Sequence, residues 1–172
     1  MPAAAKDRPG RDAKPRPVRI VPCLRYRDPA AAIDWLCVAF GFERHLIVSG
    51  EDGAIAHAEL TLGEAMVMLG PTVESDFGRL MAQPDEIGGR ETQTAYVIVP
   101  DADAHHEQAV AAGAEIEIEI KSEEHGGRGY TCRDIEGHIW NFGTYDPWAQ
   151  PEPAPEAPAE RRPARGEGGH SP

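Results

Sequence analysis

The stretch Gly126–Tyr145, GGRGYTCRDIEGHIWNFGTY, decides the fold of this chain. Two segments of strand-like composition, 128–134 and 138–144, flank a short turn that ends at Gly137. Glycine readily adopts the positive φ that such a turn needs, while aromatic and branched side chains favour a half-buried sheet surface. The stretch therefore predicts a β-hairpin.

The same hairpin pattern occurs earlier, in Gly53–Leu69, where the turn contains Gly63. Upstream of it, residues 18–26 and 42–49 have strand composition. Between them, Asp28 and Pro29 predict the start of an amphipathic helix that Gly41 ends. This first module is thus predicted to have the order βαβββ.

The order restarts after residue 91, with a strand at 93–99, a helix from Asp101 to Gly113 and a strand at 114–121 before the final hairpin. Gly113 follows Gly41 by 72 residues and Gly137 follows Gly63 by 74, as expected for a duplicated unit with a small insertion. The sequence predicts an α+β fold of two βαβββ modules, whose sheets pair because neither copy buries its sheet alone.

The domain boundaries follow from composition. Residues 1–17 and 149–172 are rich in Pro, Ala and charge without apolar periodicity, which predicts disordered tails, the first of them basic. Between them lies one folded domain, 18–148. It divides into module one at 18–70, a linker or ligand-site loop at 71–91, and module two at 92–148.

Charge and cysteine content exclude several classes of protein. The formal net charge is -12, and removing +3 for residues 1–17 and -1 for residues 149–172 leaves -14 on the folded part. Such an acidic body argues against nucleic-acid binding and favours cationic ligands. The three cysteines have no paired spacing and no apolar run reaches membrane-spanning length, so we expect a reduced cytoplasmic protein without membrane contact.

The chain resembles the vicinal oxygen chelate superfamily, the group of glyoxalases, bleomycin resistance proteins and dioxygenases. The resemblance runs over about 18–148 and depends on the segments LRYRDP (24–29), AFGFE (39–43), AGA (112–114) and DIEGHIW (134–140). It implies paired modules whose curved mixed sheets surround a cup-shaped cavity for a small ligand, often in a homodimer.

Enzymes of this superfamily bind a divalent metal through residues on the first and last strands of each module. Carried over, these positions fall at Val21 and Met68 in module one and at Thr94 and Asn141 in module two. A divalent cation needs several imidazole or carboxylate donors, which these side chains do not supply. We therefore expect no metal cofactor, and we assign no residue of the site as a metal ligand.

Strand alternation predicts which side chains reach the cavity if Asn141 faces it. The predicted ligand-binding residues are Cys23, Arg25, Met66, Met68, Tyr96, Ile98, Ile139 and Asn141. His57 and Glu59 share one face of their strand and are the candidate catalytic pair, with His57 as general base or as a lone ligand. The alternative for this pair is a solvent-facing strand edge.

The function expected from these observations is metal-independent binding of a cationic or aromatic small molecule, as in drug-sequestering resistance proteins. One alternative is a metal-dependent glyoxalase-type lyase, isomerase or dioxygenase that uses His57, Glu59 and His138. Another is a non-enzymatic interaction module that uses the tails and the strand in which isoleucines alternate with Glu115, Glu117 and Glu119. The sequence does not say whether the modules pair within one chain or across a dimer.

Overall fold

The computed structural model describes residues 18–50, 52–124 and 126–149. The predicted N-terminal tail and all but the first residue of the predicted C-terminal tail lie outside the described residues. Within the described residues, the helices and strands follow the order expected from the duplicated pattern. They share one apolar core.

Module one contains a four-stranded mixed sheet and one helix. Its elements are β1 (Cys23–Tyr26), α1 (Pro29–Phe40), β2 (Glu43–Ser49), β3 (Ile55–Leu62) and β4 (Ala65–Pro71). The strand order is β1-β4-β3-β2, with β1 parallel to β4 and the other pairs antiparallel. The first strand is shorter than predicted, because it begins only after Pro22 and the preceding Val18 and Ile20 are exposed.

Module two repeats this arrangement. Its elements are β5 (Ala95–Ile98), α2 (Ala102–Ala111), β6 (Glu115–Ser122), β7 (Arg128–Arg133) and β8 (Ile139–Gly143). The strand order is β5-β8-β7-β6, again with one parallel pair, β5 and β8. The α+β fold of two βαβββ modules is confirmed. The stretch Gly126–Tyr145 contains the predicted hairpin, which is formed by β7 and β8.

Local sequence explains where the first helix begins and ends. The Asp28 side chain accepts a hydrogen bond from the backbone N–H of Ala31 (3.0 Å), and Pro29 occupies the first helical position. Gly41 ends the helix at φ 76°, a conformation that glycine adopts without strain. Both predicted ends of α1 are therefore correct.

One buried apolar cluster joins the two modules. It contains the inner side chains of α1, α2 and one face of each sheet, and its aromatic centre is Phe40 packed on Trp140 (5.4 Å between ring centroids) and Phe142 (4.6 Å). Each sheet thus has a core face and an opposite face, which we call the open face. The open faces look away from the shared core.

The turn of the β7–β8 hairpin clamps module two onto module one. Asp134 is buried and its Oδ2 accepts hydrogen bonds from Tyr26 OH (2.6 Å) and Trp140 Nε1 (3.0 Å). Glu136 accepts from the backbone N–H groups of Arg27 (2.7 Å) and Asp28 (2.9 Å) at the entry to α1. The side chains of this turn therefore hold the β1–α1 junction of the other module.

His138 completes the clamp through two hydrogen bonds of its ring. Its Nε2 donates to the Arg25 carbonyl (2.8 Å) and its Nδ1 donates to Glu91 (2.8 Å), an arrangement that requires the doubly protonated ring. Burial lowers the pKa of His138, but the hydrogen bond to Glu91 and the nearby Asp134 carboxylate outweigh it, so the pKa is raised. The imidazolium links the linker to both modules.

His105 lies on α2, a weakly amphipathic helix, and its side chain is half-buried against other elements. Its Nε2 donates to the Phe40 carbonyl (3.1 Å) and its Nδ1 lies 2.8 Å from Tyr130 OH, which donates to it. Burial lowers the pKa of His105, and this effect outweighs the hydrogen bond to the Phe40 carbonyl, which raises it. The lowered pKa favours the neutral ring. The sequence of the helix does not indicate these contacts, because Phe40 comes from module one and Tyr130 comes from β7, later in module two.

Candidate ligand-binding site

The predicted ligand-binding residues lie on the two open faces, and the chain does not bring them into one cavity. Cys23, Arg25, Met66 and Met68 lie on the open face of module one, and Tyr96, Ile98, Ile139 and Asn141 lie on that of module two. The alternation argument thus selects the correct face of each strand. Each open face holds its own cavity.

The module-one cavity has a volume of about 160 Å³. Its lining includes Cys23, Arg25 and Met68 from the prediction, together with His57, Gly70 and Phe77. Phe77 comes from the 71–91 segment, where two short 3-10 helices, Gly78–Leu80 and Pro84–Ile87, interrupt the loop. Phe77 of this segment therefore forms part of the cavity wall.

The module-two cavity is larger, about 290 Å³. Tyr96 and Asn141 line it as predicted, and Ile118, Gly129, Thr131 and Tyr145 are further lining residues. The Tyr96 hydroxyl donates to the Tyr145 carbonyl (3.1 Å), and burial raises the pKa of this phenol. The cavity combines an aromatic wall with a polar floor.

The floor of this cavity is a fixed chain of hydrogen bonds. Thr131 Oγ1 donates to Asn141 Oδ1 (2.7 Å), Asn141 Nδ2 donates to Thr94 Oγ1 (3.0 Å), and Thr94 donates to the Ile139 carbonyl (2.6 Å). Both ends of the Asn141 amide are thereby oriented. A preorganised polar group among apolar and charged lining residues can set the orientation of a small-molecule ligand.

Ile118 reaches this cavity because β6 is irregular. Regular alternation would put it on the same face as Ile116 and Ile120, which pack against the core. A β-bulge sets two residues of β6 against one of β7, so that Ile116 pairs with Cys132 and Ile118 with Thr131 on the open face. The period-two pattern in the sequence therefore conceals a side chain that changes face.

The candidate catalytic pair is together on the open face of module one. His57 Nε2 lies 3.4 Å from Glu59 Oε1, and His45 Nε2 lies 3.8 Å from Glu59 Oε2. A carboxylate that orients an imidazole can support proton abstraction from a bound molecule. His45 approaches Glu59 because of a β-bulge between Arg44 and Leu46. The sequence gives no sign of this bulge, so His45 was not predicted.

These residues do not fit a divalent metal. In 18–50, 52–124 and 126–149, no group of three or more His, Cys, Asp or Glu side chains is placed to hold a metal ion. At the family's metal positions, Met68 offers a thioether and the Asn141 amide is already bonded to two threonines. Such donors are a poor set for the cations that carry glyoxalase chemistry.

A family model supplies the identification. Residues 17–142 match the model described as Glyoxalase/Bleomycin resistance protein/Dioxygenase superfamily. The chain belongs to this superfamily. Members of the superfamily bind small-molecule ligands.

Similar sequences and structures span most of the chain. Uncharacterized proteins of Mycobacterium bovis and Mycobacterium tuberculosis H37Rv are each 33% identical over 122 residues, which is 71% of this chain and 80% and 71% of theirs. The crystal structure of TioX from Micromonospora sp. ML1 has 36% identity and a TM-score of 0.58, covering 73% of this chain and 94% of TioX. A lactoylglutathione lyase from Agrobacterium tumefaciens, 18% identical with a TM-score of 0.52 over 74% of this chain and 94% of its own, shares the fold.

Among the described residues, no helix is long and apolar enough to cross a membrane. Cys23, Cys37 and Cys132 are free thiols, in keeping with their unpaired spacing. Burial raises the pKa of Cys132 to about 12, so this thiol is protonated and unreactive in the core.

Proposed function

We propose that this protein is a cytoplasmic, metal-independent small-molecule binding protein of the bleomycin-resistance type, whose ligand is held without being altered. The observation that carries the proposal is the pair of open-face cavities, each of which combines apolar side chains with polar groups. Neither has a metal-ligand set among the described residues. The family description, which includes bleomycin resistance proteins, supports the same class of function.

The ligand is expected to be amphipathic and aromatic. Tyr96 and Tyr145 in one cavity and Phe77 and Met68 in the other offer ring faces and a polarisable thioether, which suit flat apolar groups. The acidic net charge favours a cationic ligand at long range. Close to the cavities, however, Arg25 supplies a positive charge, so contact chemistry favours the aromatic part of this expectation.

The working unit is a homodimer in which module one of one copy faces module two of the other. Apolar side chains on both open faces are too exposed for a finished cavity wall: Leu46 45%, Val48 41%, Tyr96 47%, Ile98 41% and Ile118 50%. Exposed apolar surface of this kind marks an interaction site. A second copy that brings its other open face over the first would cover these residues and join two shallow cavities into one cup.

Thermal shift tests the binding function. The protein, purified without an affinity tag and treated with EDTA, is screened against aromatic and cationic antibiotics, because a ligand that binds only the folded state must raise Tm. We expect at least one compound to raise Tm with EDTA present, and Tyr96→Leu to abolish the shift. Val110→Thr, on the exposed surface of α2, is the control that keeps it. Stoichiometric metal in the untreated protein, or shifts seen only without EDTA, would refute metal independence.

Complementation tests the shared cup. Met68→Asp damages the module-one face and Tyr96→Asp damages the module-two face, so neither variant alone should bind. When the two are mixed and allowed to exchange, half of the dimers are mixed, and each mixed dimer holds one cup with both native faces. Binding should return to about one quarter of the wild-type sites. No recovery, although native mass spectrometry shows mixed dimers, would mean that the cup is not shared.

A further inference from the structure

The Arg25 side chain on the open face of module one is held in a fixed position. Its guanidinium carbon lies 5.0 Å from the centre of the Phe77 ring, and its Nη1 donates to the Pro71 carbonyl (3.4 Å). Gly70 lies beneath it, where an added Cβ would come within 2.7 Å of Nη1. A ring above, a carbonyl at one end and a glycine below orient the guanidinium within the cavity.

The charge of Arg25 is not neutralised within the described part of the chain. The ion pairs of those residues involve Arg27, Arg44, Arg79, Arg128 and Arg133, but not Arg25. A guanidinium has five N–H donors, and the described residues accept from only one nitrogen of this group. Most of its donors are therefore available to a bound molecule.

The carboxylate that shares this open face is already engaged. Glu59 lies between His57 and His45, and it is not part of the cavity lining. The cavity itself is lined by Cys23, His57, Met68 and Phe77 around Arg25, without any Asp or Glu side chain. Its local charge is positive although the protein as a whole is acidic.

We propose that Arg25 anchors a carboxylate, or an equivalent oxyanion, on the ligand. This inference rests on the proposed binding function and adds a chemical class to it: an aromatic molecule that carries an acidic group. A planar guanidinium matches the two oxygens of a carboxylate, and charge-assisted bonds of this kind are about twice as strong as neutral ones. The aromatic part would extend from the anchor across the open face.

A matched pair of probes separates the anchor from general binding. Dissociation constants for 2-naphthoate and 2-naphthamide are measured by NMR titration up to millimolar concentration. We expect the acid to bind about tenfold more tightly than the amide, because only the acid can form the charge-assisted pair. The Nε–Hε resonance of Arg25, assigned by its loss in Arg25→Gln, should shift with the acid and not with the amide.

Two variants should remove the preference for the acid. Arg25→Gln deletes the charge. Gly70→Ala keeps the charge but pushes the guanidinium out of position. Because the two variants change different residues, a folding defect in one of them would not explain the same loss of preference in both. In both variants the acid should bind no more tightly than the amide. Arg44→Gln, which removes an exposed guanidinium paired with Asp34, is the control that retains the preference.

The outcomes distinguish the two proposals. If acid and amide bind equally to the wild type, or if the preference survives in Arg25→Gln, the anchor is refuted while the binding function stands. If neither probe binds at millimolar concentration, the anchor is refuted by that result, and the antibiotic screen then decides the binding function separately.

Discussion

Asp134 offers the sharpest test of how the two modules are held together. Its carboxylate accepts four hydrogen bonds: two at Oδ2, from Tyr26 and Trp140, and two at Oδ1, from the backbone N–H groups of Glu136 and His138 (3.0 Å each). Asp134→Asn keeps the shape but replaces one acceptor by an NH₂ group. If the amide oxygen stays with the backbone, the NH₂ faces Trp140 Nε1, which can only donate.

The expected cost follows from this mismatch. One buried donor without an acceptor costs about 1 to 3 kcal/mol, and the remaining bonds lose the assistance of the charge, so we expect a total loss of about 2 to 4 kcal/mol. The free energy of unfolding is measured by urea titration with circular dichroism at one fixed protein concentration, since the proposed homodimer would make stability concentration-dependent. Asp76→Asn, which changes the same charge in an exposed pair with Arg79, should cost less than about 0.5 kcal/mol. A loss below about 1 kcal/mol in Asp134→Asn would refute the clamp.

Three further predictions concern stability and the tails. Because the pKa of His138 is raised in the folded state, its contribution is complete below the ordinary histidine pKa of about 6.5 and is lost as the pH rises through the raised value; His138→Gln should flatten this decline in urea titrations, and an unchanged profile would contradict it. Gly127→Ala should lower Tm more than Gly126→Ala, because both need positive φ but only at Gly127 would the new Cβ lie 2.6 Å from a backbone nitrogen, that of Tyr145; equal shifts would argue against the steric reason. Deletion of both predicted tails, residues 1–17 and 149–172, should leave ligand-induced Tm shifts intact. Loss of association with a partner chain on this deletion would favour the interaction-module alternative.

The elements that sequence predicts well are those whose determinants are local. The ends of α1 were predictable because an N-cap aspartate, a proline and a C-terminal glycine act within a few residues. The β7–β8 hairpin was predictable because the turn needs glycine and its strands alternate. The choice of open-face residues followed from the same alternation.

The site features that sequence did not predict depend on contacts between distant segments. His45 and Ile118 face the cavities through β-bulges, and the alternating isoleucines of β6 give no sign of one. His105 appears exposed on a weak helix until Phe40 and Tyr130, from other elements, surround it. Arg25 was predicted as a cavity residue, but its orientation depends on Phe77, 52 positions later in the chain.

The clamp also bears on how the modules are used. Asp134, Glu136 and His138 all bond to the β1–α1 junction of the same chain, so the modules are joined back to back through the shared core. The corresponding turn of module one contains Gly63, and a Cβ added at this glycine would have no neighbour within 4 Å. Among the described residues, no clamp comparable to that of Asp134 is found at this turn. Back-to-back packing uses the core face of each sheet, which leaves the open faces as the surfaces available for a ligand. A cup that encloses a ligand on both sides must then take its second wall from another copy, which is why complementation between Met68→Asp and Tyr96→Asp is the decisive test of the proposed homodimer.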